Sequence, residues 1–133
     1  MAGNKPIRLG DLQLRILQVL WTAEGPLSVS EVNERLEGER FAYTTIATML
    51  RKMEDRDLVR HQPDGRRFLY LPEVSADQVS RSLSRDLVDR LFSGSVTDTV
   101  HHLLESRDVD PDELDELEKL IQKHKSGSNY SGE

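Results

Sequence analysis

Thr44, Thr45, Thr48, Arg51 and Lys52 are spaced so that a helix over residues 43–56 collects them on one side. At 100° per residue, Ile46, Met49, Leu50 and Met53 fall on the other side, which is apolar enough for a core. A threonine hydroxyl donates or accepts a hydrogen bond, and its methyl group can meet the methyl of thymine. Arginine and lysine bind phosphate, which supplies affinity with little sequence information. Two more arginines, Arg66 and Arg67, follow a turn predicted at Pro63-Asp64-Gly65. That turn separates Leu58-Val59-Arg60-His61 from Arg66-Arg67-Phe68-Leu69-Tyr70-Leu71, whose apolar residues alternate at strand period. A polar reading helix followed by a basic two-stranded ribbon is the layout of a winged helix-turn-helix, with the helix in the major groove and the hairpin along the phosphates. On this reading Thr44, Thr45 and Thr48 face bases, while Arg51, Lys52, Arg66 and Arg67 hold the backbone.

Other chemistries find little in the chain. His101 and His102, with Glu105 one turn beyond His101, are the nearest approach to a metal site. Adjacent histidines project about 100° apart on a helix and do not share one ion, so no metal is expected. The sequence has no cysteine, which excludes disulfides and thiolate ligands and suits a reducing compartment. There is no glycine-rich phosphate loop and no nucleophile paired with a base, so neither an enzyme nor a cofactor is expected.

The elements that must position the threonine face are legible upstream. Asp11 to Ala23 reads as a helix apolar on most of its circumference, with Trp21 as a core anchor, ended by Gly25-Pro26. Ser28 and Glu31 form a capping box that opens a short supporting helix running to about Leu36, with Val29, Val32 and Leu36 inward. Glu37 to Arg40 connects it to the reading helix, whose start is bracketed by Phe41 and Tyr43 as a hydrophobic staple. Beyond Pro72 the pattern changes to three amphipathic helices. The first carries Leu83, Leu87, Leu91 and Phe92, and Ser93-Gly94-Ser95 interrupts it. The second carries Val100, Leu103 and Leu104. The third starts at Asp110-Pro111 and carries Leu114, Leu117, Leu120 and Ile121. Three short stripes with no strand to cover them predict pairing with a second copy of the chain. The fold class is therefore mainly α: a winged helix-turn-helix domain over 1–73 with three helices and a hairpin wing, a helical dimerisation region over 74–125, and a disordered tail over 126–133.

The net charge of -6 is unevenly spread. Residues 1–75 carry 11 basic and 11 acidic side chains, and residues 76–133 carry 7 and 13, so the acidic excess lies wholly in the second half. Within 40–70 there are 7 basic residues against 4 acidic, which leaves the reading segment locally positive. No segment resembles a signal peptide and no apolar run is long enough to cross a membrane, so a cytoplasmic protein without membrane insertion is expected.

Four blocks together resemble the penicillinase repressor family, the BlaI/MecI type: LGDLQLRILQVLW, AYTTIATMLRKMEDRDLVR, the wing DGRRFLYLP and LVDRLFSGSVTDTVHHLLE. The resemblance spans roughly residues 7–124. It implies a winged-helix homodimer that represses genes from a palindromic operator on double-stranded DNA, with base contacts on Thr44, Thr45 and Thr48. It also implies release through a membrane sensor with a metalloprotease domain that causes cleavage in the dimerisation region. Family members are cut between asparagine and phenylalanine, whereas the matching positions here are His102 and Leu103. The copper-responsive branch ends in metal-binding cysteine pairs, which this chain lacks. The expected function is a sequence-specific repressor, of genes for β-lactam or cell-envelope stress responses. The competing reading is a winged helix that uses the same face for protein contact without DNA.

Overall fold

The core is built on the helix that carries the threonines. A computed structural model describes residues 7–38 and 40–127. Within it, helix α3 (Tyr43–Asp55) buries Ile46, Leu50 and Met53 completely, and Met49 packs at the edge. These residues meet Ile16, Leu17 and Leu20 of α1 (Asp11–Thr22) and Val29 and Val32 of α2 (Val29–Arg35). The three helices and their apolar faces match the reading from periodicity. Helix α1 ends at Thr22, and Ala23 caps it by donating to the Leu20 carbonyl at 3.3 Å. Gly25, expected to stop this helix, lies beyond its end and adopts no left-handed conformation.

The capping box at the start of α2 is present in both directions. The Glu31 N–H donates to Ser28 Oγ at 3.2 Å, and the Ser28 N–H donates to Glu31 Oε1 at 2.8 Å. Ser28 also serves a sheet. Leu27–Ser28 form a short strand β1, and β2 (Val59–Asp64) and β3 (Arg67–Pro72) complete an antiparallel sheet of order β1-β3-β2. The expected two-stranded ribbon thus has a third strand, with Leu27 opposite Tyr70 and Ser28 opposite Leu69. Two residues are too few to show a period of their own, which is why sequence pattern missed β1. Tyr70, on the central strand, is buried against the core. The hairpin turn also differs from the expected Pro63-Asp64-Gly65. Asp64 pairs with Arg67, so Gly65 and Arg66 alone make the turn, and Gly65 takes the positive φ (65°) that a tight turn requires. Pro63 falls inside β2, where its missing N–H is tolerated because β2 is an edge strand.

Helix α3 closes without glycine. Asp57 adopts φ 62°, its N–H donates to the Glu54 carbonyl at 3.0 Å, and the Leu58 N–H donates to the Met53 carbonyl at 3.0 Å. This is the Schellman arrangement, completed by buried Leu58 against buried Met53, with an aspartate where glycine is usual.

The chain divides into two compact units, Met1–Leu87 and Val88–Glu133. The first extends past the boundary expected at residue 73 because α4 (Ala76–Leu91) contributes to its core. Val79 is buried there and Leu83 packs against it. Ser82 Oγ accepts from the Ile7 N–H at 2.9 Å, and Trp21 Nε1 donates to the Val74 carbonyl at 2.9 Å. Leu83, assigned from sequence to dimerisation, is thus a core residue of the first unit. Trp21 is an anchor as expected. In the second unit, Ser93 (φ 50°) and Gly94 (φ 82°) end α4 and Ser95 caps α5 (Val96–Ser106). Asp110 caps α6 (Pro111–Lys125) with Pro111 in its first turn. Residues 1–6, Glu39 and 128–133, which include most of the tail, lie outside the described residues.

Two substitutions test this account. Asp57→Gly should raise stability by about 0.5–1 kcal/mol, read as a higher urea midpoint, because glycine adopts the left-handed conformation without steric penalty. Ser28→Ala should lower it by about 1 kcal/mol at neutral pH. The Ser28 amide, then its hydroxyl, hold the Glu31 carboxyl below the usual carboxylate range, with Arg67 and Arg35 adding to this and slight desolvation opposing. A depressed carboxyl stabilises above its unfolded value and loses that contribution as pH falls through the folded one. The deficit of Ser28→Ala should therefore shrink in strong acid.

Candidate nucleic-acid interface

Burial of Ile46, Leu50 and Met53 turns the opposite arc of α3 outward. Thr44, Thr45, Thr48, Arg51 and Lys52 are all exposed on it. Ala42 precedes the helix and offers no side-chain cap; its carbonyl accepts from the Thr45 and Ile46 amides at 3.0 and 3.3 Å, and the threonine side chains of the first turn are exposed. Phe41 packs against the core, but Tyr43 is 57% exposed. The staple expected from both aromatics is made by Phe41 alone, and Tyr43 joins the exposed surface. Asn33 Nδ2 holds the approach to the helix by donating to the Phe41 carbonyl at 2.7 Å. Arg15 braces the preceding connection through the Glu37 carbonyl.

The wing arginines are not equivalent. Arg66 sits in the turn with no ion pair among the described residues, whereas Arg67 Nε bonds Asp64 Oδ2 at 3.1 Å. Sequence alone paired the two as phosphate ligands and gave no sign of this partition. On the other strand, Arg60 pairs with Glu73 at 3.0 Å. The wing meets α3 through His61, whose Nδ1 lies 2.8 and 2.7 Å from the Glu54 carboxylate oxygens and whose ring stacks on Phe68 at 4.0 Å. Sequence reasoning passed over Glu54, His61 and Phe68, since contact between them depends on the sheet lying beside the helix. Burial, then Glu54, push the Tyr70 hydroxyl above its usual range; Arg51 opposes this and Tyr43 adds to it.

The remaining predicted residues lie outside this surface. Leu87 and Leu91 are exposed on α4; Phe92 is half-buried and meets the His102 ring at 5.6 Å. Val100, Leu103 and Leu104 are exposed on α5, as are Leu114, Leu120 and Ile121 on α6, with Leu117 half-buried. His102 and Leu103, the positions matched to the family cleavage point, lie within α5. No group of three or more metal-ligating side chains occurs among the described residues, and none of their helices is long and apolar enough to cross a membrane.

Three helices, a three-stranded sheet and a basic hairpin beside an exposed polar helix face define a winged-helix DNA-binding regulator. The penicillinase repressor family model matches residues 9–123. The chain belongs to that family, whose members are transcriptional repressors and not enzymes. It is 33% identical to the transcriptional regulator BlaI of Mycobacterium tuberculosis over 125 residues, 92% of this chain and 89% of that one. It is 23% identical to the penicillinase repressor of Bacillus licheniformis over 90% of this chain and 93% of that one. The solution structure of monomeric Bacillus licheniformis BlaI with the blaP half-operator aligns at a TM-score of 0.46 and 25% identity, over 56% of this chain and 90% of that one.

Arg66→Ala should lower DNA affinity and reduce the slope of log affinity against log salt by about one. Arg67→Ala should change that slope less, because Asp64 already offsets its charge. Anisotropy titrations across a salt series check both, and equal slope changes would mean that Arg67 leaves Asp64 when DNA binds.

Proposed function

We propose that this chain acts as a homodimeric repressor on a palindromic operator, each copy placing α3 in a major groove and its wing on the adjacent backbone. The observation that carries the proposal is the exposed arc of Thr44, Thr45 and Thr48 beside Arg51, Lys52 and Arg66, which has no ion pair among the described residues, in a chain of this family. Threonines discriminate weakly one at a time, so sequence preference is spread over several contacts and doubled by the second copy. What supports pairing is the second unit. Among its described residues the only buried side chain is Thr99, while Leu91 is 71% and Ile121 54% exposed. Apolar stripes left this open are buried when a second copy covers them.

The likeness to a penicillinase repressor supports target genes in β-lactam resistance; cell-envelope stress genes and a cytoplasmic location are further parts of the proposal. Relief of repression by a sensor-linked protease is part of the proposal. Cutting at His102-Leu103 requires α5 to unwind locally, since a protease binds its substrate extended.

Selection of bound duplexes from random-sequence DNA tests the reading. An inverted repeat should be enriched, and Thr45→Ala or Thr48→Ala should alter the preferred bases with little change in the salt slope. Enrichment of a lone half-site would overturn the dimeric arrangement. No enrichment, with any affinity insensitive to salt, would favour a protein-contact role for the same face.

A further inference from the structure

His61 is the sole histidine of the first unit; His101, His102 and His124 all lie in 88–133. Its Nδ1 is within 2.8 Å of both Glu54 oxygens, so a proton sits on Nδ1 whether the ring is neutral or cationic. One face of the ring stacks on Phe68, with planes 22° apart, and Tyr70 lies 5.8 Å away at 53°. The contact joins the last turns of α3 to β2, the strand that leads into the wing turn. Both side chains are about 30% exposed, so protons and salt reach them. Glu54, Arg51 and Tyr43 of α3 all act on the neighbouring Tyr70 hydroxyl, and the wing's own carboxylates are paired within it, Asp64 with Arg67 and Glu73 with Arg60. Glu54 is the α3 anion that reaches the wing, on the same helix as the exposed Arg51 and Lys52. Left uncompensated, its carboxylate repels an approaching phosphate backbone; an imidazolium beside it cancels that charge.

Resting on the DNA-binding reading above, we infer that His61 is a positioning residue that seats the wing on α3 and, as the cation, neutralises Glu54, so that DNA binding takes up a proton at His61. Histidine changes charge between about pH 5 and 8, where DNA phosphates do not titrate. Raising the pH across that range removes the compensating charge and weakens binding. Partial exposure limits the effect to about two- to fivefold in affinity.

The test uses the full-length chain and a duplex enriched by the wild-type protein from random-sequence DNA, with anisotropy read at fixed ionic strength from pH 6 to pH 8. The wild type should bind more weakly at the higher pH. His61→Gln keeps a donor toward Glu54 but carries no charge at any pH, so its affinity should be flat and near the wild-type value at pH 8. Glu54→Gln should bind more tightly than wild type at pH 8, because the charge that the imidazolium offsets is gone. A flat wild-type profile overturns the inference, as does an unchanged slope in His61→Gln, which would assign the proton elsewhere. Should His61→Gln fail to fold, the pH 8 affinity of Glu54→Gln decides, and no gain over the wild type overturns the inference. Failure of the wild type to enrich any duplex would instead sink the DNA-binding reading itself.

Discussion

Ile46, Leu50 and Met53 leave no accessible surface, and this burial fixes the rotation of α3 about its own axis. Each such side chain contributes about 1.5–3 kcal/mol when fully removed from water. Turning the helix far enough to hide Thr44, Thr45 and Thr48 would expose all three together and cost several kcal/mol, comparable to the stability of a whole domain. The polar arc is therefore outward because its opposite is inward. The exposed polar face and the buried core are two sides of one 3.6-residue period.

Helix and wing also keep a set relation. Three features of the first unit provide it. The Schellman closure at Asp57 turns the chain directly from α3 into β2. Tyr70 pins the central strand to the core, and the Glu54–His61 contact ties the hairpin back to the helix. Arg66 then projects from a two-residue turn whose register admits no slack. Its guanidinium, without an ion pair among the described residues, sits at the hairpin tip.

How much of this could be read in the sequence depended on the range of each interaction. Helices α1, α2 and α3, the capping box at Ser28, and the break at Ser93-Gly94 are local patterns with a period or a cap signature, and they were legible. Strand β1 was not, since its two residues acquire strand character only by pairing with β3. Nor was the double role of α4: Val79 and Leu83 sit on the same stripe as Leu87 and Leu91, and nothing in the spacing says that the first two serve the winged-helix core. Asp57 escaped notice because the left-handed position usually announces itself with glycine. The exposed threonine face was anticipated from helical periodicity alone, whereas the Asp64 restraint on Arg67 and the Glu54–His61 contact required the fold.

The sheet has two outer strands, and each is blunted. β1 stops after two residues because Ser28 immediately becomes the helix cap, and β2 carries Pro63, which has no amide hydrogen to offer. Neither margin can template the growth of another strand. A sheet blunted on both margins thereby avoids the commonest route by which small sheets fuse into aggregates.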